Sequence, residues 1–472
     1  MKKEFDKNQK TAVNFDKGPC LVLAGAGSGK TQVLTYRIYN LIVNNNVKPQ
    51  NILIITFTRA AAEEMKERFI KIVKDERLKL YELPHFGTFH SIFYEILRND
   101  FGYTGESLVT EDEEIIYLKE VLKESKKDKF YDEISIKKIL REIDTYKLYN
   151  EREEIFEPSF LDKRELDNIY KKYQDKLYKS RKLDFYDMIN KCYELLSKDK
   201  KALDKYQDLY KYVLIDEFQD INKSQYELVK LICRSKNIFV VGDDDQSIYR
   251  FRGSSPVVMR DFLKDFKKAE VIYLSNNYRC AKVIVKFAKK VIDFNKARFK
   301  KNLAAKRDEL GTLEIKAFVD SRQENEYIID KIKEYKKLGI KLSEIAILYR
   351  TNLLADTIVE SLKKAGISYY IKGKNEVEDE RKVEAINLMT FHLSKGLEFK
   401  TVFIIDANDG LVPHKKSVLD DDIETERRLF YVAMTRAISN LHIYFTVRRF
   451  GKDFKASRFI FEAIGEEYGK ER

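Results

Sequence analysis

The chain has 472 residues, 44% of them hydrophobic, and its length suggests about two to four domain-sized units rather than one small binding module. Its formal net charge of +12 favours a polyanionic partner, although lysines that only solvate the surface would give the same balance. The four cysteines include no C-x-x-C pair, which argues against a zinc site, an iron–sulfur cluster and a disulfide framework. No apolar run approaches the roughly 18 residues of a membrane span, so we expect a cytoplasmic protein without a membrane partner.

Short apolar runs predict buried strands in two separate regions of the chain. The first group lies at 20–23, 51–56, 212–215 and 238–241, and the second at 344–349, 386–389, 401–405 and 441–445. Helical patterns follow most of these runs. Strands that alternate with helices indicate parallel sheets with covered faces, so the sequence predicts two α/β cores.

A charged, amphipathic and strand-poor stretch interrupts the first group of strands, with helical patterns over 111–126 and 134–149. It predicts a helical insertion at 91–185, because strand 212–215 carries chemistry that must meet the loop after strand 20–23. The predicted domains are therefore a first core at 1–90 and 186–279, the insertion at 91–185, and a second core at 280–472.

A phosphate-binding loop is predicted between strand 20–23 and a helix that begins near Lys30. The loop reads Ala24-Gly25-Ala26-Gly27-Ser28-Gly29-Lys30-Thr31. Its glycines let backbone N–H groups wrap phosphates, while Lys30 can reach the β and γ oxygens and Thr31 can hold Mg²⁺. Ala24 stands where the general pattern has its first glycine, a departure that leaves the strand, loop and helix context intact.

Two adjacent carboxylates end the apolar strand 212–215. Strand alternation points the side chains of Asp216 and Glu217 in different directions. We therefore predict that Asp216 belongs to the magnesium shell and that Glu217 is the general base that orients and deprotonates the attacking water. Together with Lys30 and Thr31, these residues make nucleoside triphosphate hydrolysis the best-supported chemistry of the chain.

A series of short segments runs in order from near the N-terminus to near the C-terminus. The segments are Gln9 to Val13, Ala24 to Thr31, Ile55 to Thr58, Gly87 to Ser91, Leu183 to Phe185, Leu214 to Asp220, Gly242 to Tyr249, Asn277 to Arg279, Leu388 to Phe399, Glu426 to Leu429 and Thr435 to Ala437. This ordered set resembles the helicase motifs of the UvrD/Rep family. The resemblance implies two RecA-like P-loop cores, ATP and Mg²⁺ as cofactors, and movement along single-stranded DNA.

The resemblance also implies how ATP is recognised. Gln9 would read the adenine edge, Tyr278 would stack on the base, and Glu398 would meet the ribose. Gln246 would sense the γ-phosphate or its water. Arg279 and Arg436 would stabilise the transferring phosphoryl group, with Arg436 acting from the second core as an arginine finger in cis.

A single-stranded DNA track is implied as well, made of aromatic ring faces and of basic or polar side chains. The aromatic residues are Phe57, Tyr249 and Phe251, the last standing where relatives commonly have tryptophan. The other matching positions are Thr56, His90, Arg252, Arg350, Asn352 and His392. Stacking and phosphate contacts do not distinguish the sugar, so DNA rather than RNA rests on the resemblance.

Members of this family carry a large helical domain inserted in the second core, ahead of Lys395. Here a short charged stretch at about 372–384 takes its place, which predicts that the inserted domain is missing. Two functions therefore stay open. The first is a monomeric 3′ to 5′ helicase that acts on single strands and at junctions with duplex. The second is a translocase that remodels protein–DNA complexes, or a subunit of a larger complex, with little unwinding of its own.

Overall fold

The computed structural model describes residues 4–125, 131–152, 156–250, 257–373, 384–419 and 422–465. Its contacts divide the chain into two compact units. The first comprises Met1–Val22, Thr31–Gly242 and Tyr249–Ile272, and the second comprises Leu23–Lys30, Asp243–Ile248 and Tyr273–Arg472. The domain boundaries predicted from the sequence stay predictions.

A six-stranded sheet has the order β3-β2-β4-β5-β1-β6. Its strands are β1 (Cys20–Ala24), β2 (Ile52–Thr56), β3 (His85–Thr88), β4 (Tyr212–Ile215), β5 (Ile238–Gly242) and β6 (Glu270–Leu274). β2 runs parallel to β3 and to β4, and β4 runs parallel to β5. Every residue of β1, β2, β4 and β5 is buried, which explains why these strands are continuous apolar runs.

Eleven helices lie in the part of the chain up to residue 265 that the structure describes. They are α1 (Lys7–Asn14), α2 (Lys30–Val43), α3 (Arg59–Asp75), α4 (Phe89–Phe101), α5 (Glu111–Glu124), α6 (Glu133–Arg152), α7 (Lys163–Lys179), α8 (Phe185–Lys198), α9 (Lys200–Leu209), α10 (Lys223–Ile232) and α11 (Val257–Asp265). α5, α6 and α7 share a hydrophobic core that includes Leu118, Ile139 and Tyr173. The helices predicted at 111–126 and 134–149 are confirmed as α5 and α6.

A second six-stranded sheet has the order β11-β12-β10-β13-β14-β9, and all its neighbouring strands are parallel. Its strands are β9 (Thr312–Phe318), β10 (Ile345–Tyr349), β11 (Tyr369–Ile371), β12 (Ile386–Thr390), β13 (Phe399–Ile404) and β14 (Ala437–Thr446). Two short pairs are β7 (Asn276–Asn277) with β8 (Ala304–Ala305), and β15 (Arg448–Arg449) with β16 (Lys452–Asp453). The helices are α12 (Lys282–Ile292), α13 (Ser321–Lys337), α14 (Asp356–Lys364), α15 (Lys415–Leu419), α16 (Ile423–Met434) and α17 (Arg458–Ile464).

The predicted α/β class with two parallel sheets is confirmed, and all eight predicted strands are present. The strands that the sequence prediction missed include β3, β6 and β9. β3 contains His85 and Gly87, which break the apolar run, and β6 and β9 stand at sheet edges and carry charged residues. A strand that is exposed on one edge gives no continuous apolar signal.

The four cysteines are free and buried. Within the described ranges, no helix is long and apolar enough to cross a membrane. Most of the stretch predicted at 372–384 lies outside the described residues, as do the predicted DNA contacts Phe251 and Arg252.

Candidate functional site

The predicted phosphate-binding loop, Ala24 to Thr31, leaves β1 and enters α2, which begins at Lys30. Gly27 and Gly29 have φ angles of 65° and 80°, in the left-handed region that a residue without a Cβ adopts at no steric cost. Ala24 is the last residue of β1 and is fully buried. The N–H groups of the first turn of a helix have no partner within the helix, and the helix dipole is positive there, so the loop that leads into α2 is suited to an anion.

Close packing explains why two positions of this loop are glycine. A Cβ at Gly25 would lie 2.0 Å from Cδ2 of Leu303. At Gly27, an added Cβ would lie 2.7 Å from Cβ of Arg279 and 2.9 Å from Oδ1 of Asn277. A side chain at either position would force these neighbours apart.

Asn277 ties the loop to the residues that follow β7. Its Nδ2 donates to the carbonyl oxygen of Ala26 at 2.8 Å, and its Oδ1 accepts from the N–H of Arg279 at 2.9 Å. The N–H of Tyr278 donates to the carbonyl oxygen of Gly27 at 2.9 Å, while 42% of Tyr278 stays exposed. Sequence reasoning gave Asn277 no role, although it stands inside one of the family-like segments. Its buried amide holds the loop against the residue predicted to stack on the base.

Four residues predicted for the ATP site form two direct pairs in the second unit. Nε of Arg279 lies 2.6 Å from Oε2 of Glu398, as an ion pair. Arg436 donates from Nη2 to Oε1 of Gln246 at 3.2 Å. Arg436 is only 1% exposed, and its Nε also donates to the carbonyl oxygen of Val432 at 2.9 Å. Its guanidinium is thus fixed in place by protein groups.

Gln246 follows three buried aspartates, Asp243, Asp244 and Asp245. Their ligand atoms lie within 4.8 Å of one another, a spacing that would suit a metal ion. Lys301 fills that position instead, because its ammonium pairs with all three carboxylates. Burial acts to raise the pKa of Asp243, but the charges of Lys301 and then Lys30 outweigh it, so this pKa lies below its ordinary value.

The two carboxylates after β4 differ in their surroundings. Asp216 is buried, and its Oδ1 accepts from the N–H of Glu217 at 2.9 Å. Glu217 has φ 51° and ψ 43°, a left-handed backbone that is uncommon outside glycine and that redirects its side chain from the strand. Nε2 of Gln219 donates to Oε2 of Glu217 at 2.5 Å. The roles predicted for the two carboxylates stay predictions.

Gln9 and Thr31 lie on the first turns of α1 and α2. Gln9 is buried, and its Oε1 accepts from the N–H of Asp6 at 3.1 Å within a capping box. The hydroxyl of Thr31 and the carboxylate of Asp216 are hard oxygen ligands, the type that Mg²⁺ prefers. The donor set at these two positions therefore fits the ion predicted from the sequence.

Two aromatic pairs stand where the sequence predicts nucleic-acid contacts in the first unit. The rings of Phe57 and Tyr249 stack with centroids 5.3 Å apart and an interplanar angle of 13°. His90 meets Phe185 edge to face at 5.8 Å, and 59% of Phe185 is exposed. Burial lowers the pKa of His90, which favours its neutral imidazole. Phe185 was not predicted as a contact, although it lies in a family-like segment.

Other predicted nucleic-acid contacts are engaged by protein groups. Thr56 is 1% exposed, and its hydroxyl donates to the carbonyl oxygen of Thr58 at 3.1 Å. The guanidinium of Arg350 donates to both carboxylate oxygens of Glu426, from Nη2 at 2.6 Å and from Nε at 3.0 Å. These two positions stay predictions, as do the exposed Asn352 and the partly exposed His392, each of which begins a short 3₁₀ turn.

Comparison with known domain families matches most of this chain. Residues 5–267 match the UvrD/REP helicase N-terminal domain, and residues 272–377 and 371–448 match the UvrD-like helicase C-terminal domain. The chain belongs to the UvrD/REP helicase family. The family resemblance read from the ordered segments is therefore confirmed.

Three relatives show how this helicase-family chain compares in length. YjcD of Bacillus subtilis, which bears the name of an ATP-dependent DNA helicase, is 30% identical over 98% of this chain and 81% of its own length. The ATP-dependent DNA helicase PcrA of Bacillus subtilis is 38% identical over 80% of this chain and 51% of its own length. PcrA of Staphylococcus epidermidis is 35% identical over 81% of this chain and 52% of its own length. This chain thus spans about half the length of the PcrA relatives.

A feature that sequence reasoning missed in this UvrD/REP-family chain is the hairpin of β15 and β16. Phe450 stands at its tip with φ 50° and is 54% exposed, and Gly451 follows with φ 71°. Arg449 places its guanidinium carbon 4.9 Å from the centroid of the Phe450 ring. The sequence signal for this hairpin is an aromatic residue followed by glycine, Phe450-Gly451, with basic residues on both sides. An exposed ring among cations is suited to a nucleic-acid base.

Proposed function

We propose that this chain is an ATP-dependent motor that moves 3′ to 5′ along single-stranded DNA and unwinds duplex DNA at junctions. One observation carries the proposal. The second unit holds residues 24–30 of the phosphate-binding loop and the Gln246–Arg436 pair. A loop suited to phosphate beside a fixed guanidinium and an amide is the arrangement that phosphoryl transfer requires.

In this proposal the loop N–H groups and Lys30 bind the phosphates of ATP, and Thr31 and Asp216 hold Mg²⁺. The bound ion supplies positive charge that offsets the phosphate oxygens. Glu217, whose backbone is left-handed with φ 51° and ψ 43°, accepts the proton of the attacking water. Arg436 offsets the charge that develops on the transferring group.

Recognition of the base and ribose is assigned to residues that the sequence resemblance points to. Tyr278 keeps an exposed ring next to the loop and stacks on the adenine, while Gln9 reads its edge. Glu398 reaches the ribose. In the structure Glu398 is paired with Arg279, so nucleotide binding must exchange this ion pair for contacts to ATP.

The DNA track is supported by the stacked pair of Phe57 and Tyr249 and by the exposed ring of Phe185 in the first unit. Ring faces bind bases of any sequence, as a motor that moves along DNA needs. The names of YjcD and PcrA, which call them DNA helicases, support DNA over RNA.

A translocase with little unwinding is the second candidate, and two observations support it. The alignment with YjcD extends over 621 positions, although this chain has 472 residues. Long stretches of YjcD therefore have no counterpart in this chain. The match to the C-terminal domain is split into 272–377 and 371–448. The break falls at the stretch where the sequence predicts that a large inserted domain is missing.

Two parallel assays decide between the candidates: fluorescent strand separation on a 3′-tailed duplex, and ATP turnover with single-stranded DNA. Strand separation that depends on ATP supports the helicase, whereas DNA-stimulated turnover without strand separation supports the translocase. Lys30→Ala and Glu217→Gln serve as controls that abolish turnover. If either variant hydrolyses ATP as fast as the wild type, the assigned ATP site is wrong. Matched DNA and RNA oligonucleotides test which strand stimulates turnover.

A further inference from the structure

Lys301 is a buried lysine between α12 and β8 that the proposed ATP site does not use. It is 3% exposed, and its ammonium lies 2.5 Å from Oδ1 of Asp244, 3.0 Å from Oδ2 of Asp245 and in short contact with Oδ1 of Asp243. Burying charged groups is unfavourable unless they are well paired. In this cluster the ammonium of Lys301 pairs with all three carboxylates.

The aspartates have different additional partners. Arg298 donates from Nε and Nη2 to the two carboxylate oxygens of Asp245 at 2.8 and 2.7 Å. The N–H of Phe299 donates to Oδ2 of Asp244 at 2.6 Å. The ammonium of Lys301 pairs with all three carboxylates, including that of Asp243. Asp243 thus has Lys301 as an ion-pair partner, and its Oδ1 also accepts from the N–H of Asp245 at 3.3 Å.

The two oxygens of Asp243 have different partners. Oδ1 pairs with the ammonium of Lys301, and Oδ2 accepts from Nε2 of Gln246 at 2.7 Å. An ionised carboxylate only accepts hydrogen bonds, so it selects the NH₂ end of the Gln246 amide. The other end, Oε1, accepts from Nη2 of Arg436 at 3.2 Å. A relay of contacts thus runs from Lys301 through Asp243 and Gln246 to Arg436.

We infer that Lys301 is a positioning residue for ATP hydrolysis: it holds Asp243 so that Oδ2 of Asp243 fixes which end of the Gln246 amide faces Arg436. The inference rests on the proposed function, in which Gln246 senses the γ-phosphate or its water. Lys301 touches neither ATP nor water in this role and acts only through Asp243. Without its ammonium, the buried aspartates share a proton, and a protonated Asp243 can donate to Gln246 and reverse the amide.

The test is a double-mutant cycle between Lys301→Met and Gln246→Ala, read out as ATP turnover with saturating single-stranded DNA. Lys301→Met lowers kcat by about 10- to 100-fold, a typical cost of misplacing a catalytic group, and changes KM for ATP less than about threefold. In the Gln246→Ala background, Lys301→Met lowers kcat less than about twofold, because the residue it positions is already gone. Lys300→Met, a change of the exposed neighbouring lysine, is the matched control and leaves both constants unchanged.

Two results would overturn the inference. One is a kcat of Lys301→Met within twofold of the wild-type value. The other is an equal loss of kcat on adding Lys301→Met to the wild type and to Gln246→Ala, which is the result expected if Lys301 has only a structural role. If Lys301→Met does not fold, the double variant Lys301→Met/Asp244→Asn replaces it in the cycle. This double variant removes one positive and one negative charge from the cluster. A wild-type protein without DNA-stimulated turnover would instead overturn the proposed function, and this inference with it.

Discussion

Nη2 of Arg436 donates to Oε1 of Gln246 across 3.2 Å, so a residue predicted to stabilise the phosphoryl group directly contacts the residue predicted to sense it. Arg436 is the residue before β14, and Gln246 lies in the segment after β5. Because both side chains are buried, their relative geometry is set by the fold before ATP binds. A catalytic group that is already in place needs no reorganisation during the reaction.

Arg436→Ala should therefore lower kcat for DNA-stimulated ATP hydrolysis by about 10³-fold or more, the effect typical of an arginine finger. KM for ATP should change far less, because the guanidinium acts on charge that develops in the transition state. Steady-state turnover with saturating single-stranded DNA measures both constants. Arg322→Ala removes a guanidinium that is exposed on α13 and should leave kcat at the wild-type value. A loss of less than about tenfold in Arg436→Ala would show that this arginine is structural.

Tyr249→Ala should weaken binding of single-stranded DNA by about 5- to 150-fold, since a base stacked on an aromatic ring contributes roughly 1–3 kcal/mol. The change also removes the partner on which Phe57 stacks. Fluorescence anisotropy with a labelled oligonucleotide gives the affinity. Tyr81→Ala is the control, because Tyr81 is 98% exposed and lies outside the predicted track. Equal affinities of the two variants would remove Tyr249 from the DNA site.

The parts of this site that the sequence predicts are those with a local signal. Glycines around Lys30 define the phosphate loop, and an apolar run that ends in Asp216 and Glu217 defines the second half of the site. Lys301 has no such signal: it lies 58 residues after Asp243, in a stretch where lysines recur and most are exposed. Asn277 is similar, because its partner Ala26 is 251 residues away. Contacts of this kind depend on topology, which a single sequence does not display.

The same reasoning applies to the fold. β1, β2, β4 and β5 are predicted because burial on both faces requires an unbroken apolar run. β9 is missed because it is an edge strand whose polar residues, Glu314 and Lys316, face partners on neighbouring elements. Sequence patterns report how deeply a segment is buried and therefore say least about the edges of sheets.

Phe450→Ala should lower the rate of strand separation more than it lowers ATP turnover on single-stranded DNA. The ring stands at the tip of a basic hairpin and can stack on a base at the end of a duplex. The ratio of base pairs opened to ATP hydrolysed, measured on a 3′-tailed duplex, should fall several-fold. Leu338→Ala, which removes an exposed apolar side chain elsewhere in the second unit, should leave this ratio unchanged. A wild-type ratio in Phe450→Ala would exclude the hairpin tip from duplex opening.

The helical part of the first unit should lose stability as the pH rises towards neutrality. Burial, followed by the negative charges of Asp144 and Asp184, raises the pKa of Glu114 to about 7, and burial with Asp184 raises the pKa of Asp144 to about 6. Lys147 acts in the opposite direction on both but does not cancel the shift. In the unfolded chain these carboxyls lose their protons near pH 4, so each stabilises the fold fully below that pH. This contribution is lost as the pH rises through about 6 and 7.

Glu114→Gln, which cannot ionise, should therefore raise Tm relative to the wild type at pH 8 and should have little effect on Tm at pH 4.5. Thermal melts followed by circular dichroism at several pH values give the difference. Glu106→Gln changes an exposed glutamate just before α5 and provides the baseline for a charge change alone. A Tm difference for Glu114→Gln that does not vary between pH 4.5 and pH 8 would show that this carboxyl has its ordinary pKa in the folded chain. A gain that grows as the pH rises to about 7 would show that burial raises the pKa of Glu114 in the folded chain.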